Sequence, residues 1–441
     1  MADDDKMGAP LKLLLGIALI LAGTVYGIFA HKNQWWVSKR VDDVVAAFQE
    51  VGETIETPWY LQLPGGHPAV ETFDADAVAP GLVMLAGINA DREHFVDVID
   101  RDGTVIHSWR PNWFDIWPEP PEGVPPGRIP QAEPGAILHG VEIADNADVI
   151  LNYEFLSTMR LDVCGATKWA LPNNGHHSVF LAEDDTIWVG SEDFILAGPT
   201  GIANHYAPLN SWTLQQLDAD GRELANKNLI ELFLDNDLRG MLHLSTTNNT
   251  QTAVVRDTLH PNDIDVFPSD MASEIFAPGD LLISLRNINT VIVVDPATWK
   301  IKFRSTGGFL RQHDADFMPG DKIIVYDNHN MNPLPFNEQS SRIVEIDALT
   351  GDHRTYFEGQ DATWYYSPTM GRQQPLPNGN LMVISPHQGR AMEVNPATGA
   401  LLWHFHNVVD DTNNGLVTEA QVLPGHMDRA FFETARANCE N

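Results

Sequence analysis

One short element recurs six times along this chain and constrains its fold more than any other feature. It reads "IDRDGTVIHSW" from residue 99, "LDVCGATKWAL" from 161, "LDADGRELANK" from 217, "VDPATWKIKFR" from 294, "IDALTGDHRTY" from 346 and "VNPATGALLWH" from 394. Each copy is an apolar residue, Asp or Asn, a turn, and another strand-like run. Asp and Asn suit such turns because their side chains accept hydrogen bonds from backbone amides just ahead. A second element precedes the first in five copies: "ADNADVILNYE", "AEDDTIWVGSE", "APGDLLISLRN", "MPGDKIIVYDN" and "LPNGNLMVISP". Together they make about four strands per unit. Six such units, roughly 50 to 75 residues apart, predict an all-β, six-bladed β-propeller, in which radial repetition removes most edge strands. The propeller is assigned to residues 57–441, with 57–80 adding or completing an outer strand.

The bulk composition agrees with a globular domain and excludes some functions. Hydrophobic residues make up 43% and aromatics 9% of 441 residues, which is not a disordered composition. The formal net charge is −33, a surface that repels nucleic acid and anionic lipid. No nucleic-acid partner is expected, and any anion site must be built locally from placed Arg and His residues. Cys164 and Cys439 are too few for a disulfide framework or a Cys-rich metal centre. Either a single bridge fixing the C-terminal tail or an unpaired Cys164 is open.

Ahead of the propeller, residues 1–10 form a tail and residues 11–30 a transmembrane anchor. The run "LLLGIALILAGTVYGIFA" from 13 to 30 is 18 uncharged residues, about the minimum for crossing a hydrocarbon core. Ile28 spoils a cleavage site after Ala30, which favours an uncleaved anchor over a signal peptide. Trp35 and Trp36 follow at interface depth. Residues 31–56 form an amphipathic helical connector, with Val37, Val41, Val44, Val45 and Phe48 at helical spacing. It packs on its own domain, on lipid, or on a partner protein.

The segment "LRQHDADFMPGDKIIVYDN" puts Gln312, His313 and Asp314 at the start of a strand bound for the core. In a propeller that strand is the innermost of its blade and its start faces the central channel. Corresponding positions hold His139 in "ILHGVEIADN", His177 beside His176 in "GHHSVFLAEDD", and the His260–Asn262 region of "LHPNDIDVF"; the last unit has Gly371. Imidazoles from four units thus aim at one axis. Hydration of a polar channel is the plain reading. Zinc binding is another. A cation beside Arg286, which ends "LLISLR", is unfavourable, so neither metal nor organic cofactor is expected. An arginine facing several histidines suits a tetrahedral anion such as sulfate or phosphate.

With these motifs the chain resembles the bacterial arylsulfotransferases, six-bladed propellers that move a sulfuryl group between phenols without a nucleotide donor. The similar features are "GHHSVFLAEDDTIWVGSED", "LHPND" with "LLISLRN", "LRQHDADFMPGDKIIVYDN" with "SRIVEID", and "LPNGNLMVISPHQGRAMEVNPATG", spanning roughly residues 135 to 410. The resemblance implies that His313 is the transiently sulfated nucleophile and that His260, Asn262 and Arg286 bind the sulfuryl group. It also implies His177 as the acid–base residue. His139, His176 and Asp314 are further candidates, with Asp314 either fixing the His313 tautomer or capping the strand. The implied partners are aryl sulfates and phenols, and the implied location is a membrane-anchored propeller in the periplasm. Two alternatives stand beside this. One is a non-catalytic, membrane-tethered propeller that organises a complex. The other is a quinoprotein-type dehydrogenase, suggested by "VNPATGALLWHF". Among other polar residues, His387 and Arg390 are expected on an outer part of their blade, and His404 and His406 on a solvated strand face. Trp364, Tyr365 and Tyr366 are expected to pack between blades.

Overall fold

Every one of the six turn residues does what its side-chain chemistry demands. Asp100, Asp162, Asp218, Asp295, Asp347 and Asn395 each accept backbone N–H bonds from residues two to four positions on, at 2.8–3.3 Å. These turns join the two outer strands of six antiparallel sheets. The computed structural model describes Gly23, Thr24, Tyr26 and residues 60–62, 65–244, 254–331 and 334–440. The chain divides into a unit Met1–Trp59 and a unit Tyr60–Asn441.

In the second unit, blade one is closed by the two ends of the chain. Its innermost strand, Val417–Val422, pairs with Val83–Ile88, followed by His94–Ile99 and Val105–Trp109. Blades two to six begin at the inner strands Leu138–Ile143, His176–Leu181, Pro261–Val266, His313–Met318 and Arg372–Pro375, each continuing outward through three more strands. Val254–Arg256 adds a parallel strand to blade three. Val70–Thr72 adds an outer strand to blade six against Trp403–Phe405, in the region expected to contribute one. Each inner strand touches the next around a complete ring. Six apolar layers fill the six gaps between successive blades. Strands such as Leu281–Leu285 therefore bury both faces and read as continuous apolar runs rather than alternating ones.

The inner strands are irregular where they start. Register shifts interrupt pairing at 138/141, 176/179, 261/263, 313/315 and 417/419. Such bulges bend a strand and re-aim its side chains. In blade six, Gly371 takes φ 101° and lies against Tyr326, where an added Cβ would stand 2.4 Å from a ring carbon. No larger residue fits there, so that blade sends no imidazole to the axis from this position.

Cys164 and Cys439 form a disulfide, which resolves the alternative left open by the sequence. It ties the C-terminal helix Arg429–Arg436 to blade two, while Phe432 of that helix packs edge-on against Trp109 of blade one. The tail 1–10 and the connector 31–56 lie outside the described residues. So does the anchor 11–30, save Gly23, Thr24 and Tyr26, which are helical. Among the described residues no helix is long and apolar enough to cross a membrane.

Removing the bridge frees the strap that follows the ring-closing strand. Cys439→Ser is expected to lower stability by about 2–4 kcal/mol, seen as a fall in the urea midpoint. Reductant should lower the wild type to the same value and leave the variant unmoved.

Candidate functional site

At the mouth of the channel the predicted histidines meet. His260 Nε2 lies 3.2 Å from His176 Nε2 and 3.1 Å from His177 Nε2. His177 Nδ1 lies 3.2 Å from His139 Nε2, and the ring centroids of His177 and His313 are 5.4 Å apart. All five imidazoles are buried, His313 at 2% exposure. His177 and His260 take φ of 55° and 52°, a left-handed conformation that costs side-chain-bearing residues about 1–3 kcal/mol each.

Arg286 follows the second strand of blade four, its backbone N–H donating to the His260 carbonyl at 3.0 Å. Its guanidinium donates from Nε to Asn287 Oδ1 at 3.3 Å, and its Nη nitrogens have no hydrogen-bond partner among the described residues. It keeps a few donors for a ligand. Asn262 uses Nδ2 to hold the Gln312 carbonyl at 2.7 Å, leaving one N–H to offer.

His313 has a defined tautomer. Asn328 donates from Nδ2 to the Ser367 and Met370 carbonyls at 2.8 and 2.6 Å, so its Oδ1 must face the ring. Oδ1 lies 2.7 Å from His313 Nδ1, which therefore carries the proton. The lone pair is at Nε2, where the Met370 N–H donates to it at 3.2 Å. Asp314 has no part in this. Its carboxylate accepts from Arg372 Nε at 2.8 Å and from the Gln373 N–H at 2.5 Å, because the bulge turns it toward blade six. The tautomer role open to Asp314 belongs to Asn328.

Beneath the imidazoles is a layer of acids. Arg372 also donates to Glu419 at 2.6 Å, and Glu419 accepts from the Gly140 N–H. Asp263 and Asp265 accept from the backbone of Ala315 and Phe317 in the next blade. Burial pushes Glu142 up to about 8 and Asp265 up to about 7. Burial has the opposite effect on the imidazoles. His139 is pulled down to about 3, and His313 lies well below its usual value through burial and then Arg286. His177 is held well below by burial and its histidine neighbours. The cluster is neutral at pH 7.

In this conformation the site is closed. The cavity directly beneath the imidazoles, lined by His139, Asn262, His313 and Arg372, is about 10 Å³, room for one water. A far larger cavity of about 570 Å³, lined by Phe180, Trp188, Phe267 and Pro296, contains no imidazole.

Several residues differ from their expected places. His387 bonds through Nδ1 to Ser367 Oγ at 2.9 Å, so it supports the turn that holds Asn328 rather than an outer surface. Arg390 is buried and donates to the Ala362 and Trp364 carbonyls. His404 and His406 are buried, because Val70–Thr72 covers their strand and His67 stacks on His406. Tyr365 and Tyr366 are buried in packing, as expected. Asp257, Glu154, Asn328, Met370 and Arg372 were missed as site residues. Only Asn328 left a signal: the "DN" and "SR" pairs are one network, Ser341 Oγ donating to the Asn328 carbonyl and Arg342 bonding Asp327.

A six-bladed propeller whose channel mouth is closed by neutral imidazoles and one guanidinium defines the class. Within it, the sequence model described as Arylsulfotransferase (ASST) matches residues 140–408, more than half of the chain, and the chain belongs to that family. No curated protein matches it. Among solved structures, it is similar to a protein of unknown function from Bacteroides caccae at 11% identity and a TM-score of 0.48, covering 77% of this chain and 98% of that one. It is also similar to TolB from Acinetobacter baumannii at 11% identity and a TM-score of 0.43, covering 77% and 66%. These likenesses carry no argument about activity.

Among the described residues, Arg372 is the one cation bonded within the acid layer. Arg372→Met is expected to destabilise the protein by about 3–5 kcal/mol, since Asp314 and Glu419 lose their partner. Urea titrations should show a larger loss at pH 9 than at pH 6, where the acids with raised pKa can neutralise themselves by taking up protons.

Proposed function

We propose that this protein transfers a sulfuryl group from an aryl sulfate to a phenol through His313. The observation that carries the reading is the Asn328 contact, which leaves the only lone pair of His313 on Nε2, inside a cluster that contains Arg286. In the first half-reaction Nε2 attacks sulfur, the S–O(aryl) bond breaks, and the aryl oxygen leaves with the electron pair as phenolate. Nδ1 keeps its proton, held by Asn328. Arg286 and the free N–H of Asn262 hold the sulfuryl oxygens; neutral His260, expected to share this role, has its one proton on Nδ1 against Asp257 and so has no N–H to add. The Met370 N–H, displaced from Nε2, is placed to donate to one of them. In the second half-reaction a phenol oxygen attacks sulfur, its proton passes to His177, and the N–S pair returns to Nε2.

Two consequences follow from the electrostatics. His177 enters the first half-reaction neutral, so donors whose phenol departs readily as phenolate are favoured. The turn Ser367–Met370 must shift to admit a donor, because it covers His313. The exposed side chains of Met331, Leu334 and Phe336, on the loop after Asn328, offer an apolar surface for an aromatic ring.

The membrane-anchored, periplasmic arrangement completes this reading. Its support is the uncharged run from 13 to 30 and the Cys164–Cys439 bridge, since oxidising compartments sustain disulfides. The six blades differ from the eight of quinoprotein dehydrogenases.

With 4-nitrophenyl sulfate and a phenol acceptor, the wild type should show ping-pong kinetics and a sulfo-adduct on His313 by intact mass. His313→Ala should abolish both. Asn328→Ala should lower kcat by about 100-fold or more by releasing the tautomer, while Asp314→Asn should act on stability instead. A fully active His313→Ala would refute the reading and leave the non-catalytic tethered propeller. Because burial holds His313 well below 6.5, kcat/KM should stay level as pH falls through 6.5, losing rate only at more acid pH. A half-maximal point at 6.5 in the kcat/KM profile would contradict it.

A further inference from the structure

We propose that His176, His177 and His260 form a binding site for one divalent transition-metal ion of the zinc type, its ligand rings oriented by Asp257, Glu154 and His139. The three side chains come from the starts of two adjacent blades. Their ligating nitrogens all lie within 4.8 Å of one another, with His260 Nε2 at 3.2 and 3.1 Å from the Nε2 atoms of His176 and His177. Tetrahedral zinc, with Zn–N of about 2.0–2.1 Å, sets its nitrogens about 3.3–3.4 Å apart.

Those spacings also fit N–H···N bonds, and proton counting decides between the two. His260 Nδ1 is bonded to the Asp257 carboxylate, which can only accept, so the His260 proton is on Nδ1. Its Nε2 then has one lone pair facing two neighbours. One lone pair receives one N–H well, and the other imidazole is left poorly matched. A single cation taking one lone pair from each ring satisfies all three.

The surroundings have the outer layer that metal-bound histidines use. Asp257 is itself held by Trp212 Nε1 at 2.8 Å. His176 Nδ1 faces Glu154 Oε1 at 3.6 Å, just beyond hydrogen-bond distance, and its ring is fixed between Phe155 and Trp212 with centroids 4.1 and 4.7 Å away. His177 Nδ1 faces His139. Arg286 is the unfavourable neighbour, and the Asp257 and Glu154 carboxylates offset it. Both interact favourably with its charge.

Three ligands leave a fourth position for an oxygen donor, either water or a phenolic oxygen. This goes beyond the sulfuryl-transfer reading. In the metal-bound protein the ion, rather than His177, faces the aryl oxygen and lowers its proton affinity.

The test uses the full chain, stripped with chelator and loaded with Zn²⁺ or Co²⁺ alone. We expect about one zinc per chain by elemental analysis and an intense tetrahedral cobalt spectrum, both lost in His176→Gln and His260→Gln. Asp257→Asn should bind zinc about 10–100-fold more weakly. Should the histidine variants fail to fold by circular dichroism, the wild-type cobalt spectrum decides. An aquo-like octahedral spectrum, or zinc held equally by folded His176→Gln, overturns the proposal. Metal bound without sulfuryl transfer refutes the functional reading alone. Transfer that survives chelation in protein that never binds zinc refutes the metal site alone.

Discussion

Six inner strands converge on one axis, and each brings a sheet edge whose amides have no further strand to pair with. The structure depends on how those edges are satisfied. Asp263 and Asp265 reach the amides of Ala315 and Phe317, Asp314 reaches Gln373, Glu419 reaches Gly140, and Ser178 Oγ accepts from Ile264. Each side chain crosses from one blade to the next. Leaving a buried amide unpaired would cost about 1–3 kcal/mol, so the polar residues at the strand starts are structural before they are anything else. Their carboxylates are then gathered around Arg372, which links blades five, six and one.

That solution creates the conditions for the layer above it. Carboxylates beneath and imidazoles above occupy the same dry channel, and burial drives both toward neutrality, the acids upward and the histidines downward. A neutral imidazole is a nucleophile and a metal ligand; an imidazolium is neither. The bulges that end the regular pairing also tip the imidazoles inward. Left-handed backbone at His177 and His260 is held because the surrounding blades allow no other path.

Much of this was legible in the chain. The Asp and Asn turns repeat because one turn geometry repeats, and that periodicity announces six blades despite unequal spacing. The convergence of His139, His177, His260 and His313 followed from placing each at the same point of its repeat. Asn328 was visible only as part of a motif, without its role. Asp257 carried no signal, since it comes from a connecting segment with no repeat position, and Glu154 shares the repeat position of Asn328 without sharing its residue type. Asp314 was ambiguous in sequence because a residue beside His313 can face either neighbour, and the bulge chose blade six. His404 and His406 were misjudged because local alternation cannot register a covering strand contributed from residues more than 300 positions away, and His387 because its partner Ser367 lies on a separate turn.

The sequence by itself determined the blade count, the ring of strand starts and the identity of the imidazoles that meet there, because repetition converts linear position into angular position around an axis. Tertiary structure alone decided which blade the chain ends close, which nitrogen of His313 holds the lone pair, and that ring nitrogens of His176, His177 and His260 lie within 4.8 Å of one another. Those outcomes turn on contacts of about 3 Å between residues from different blades, and no local pattern along a chain encodes distances across a ring.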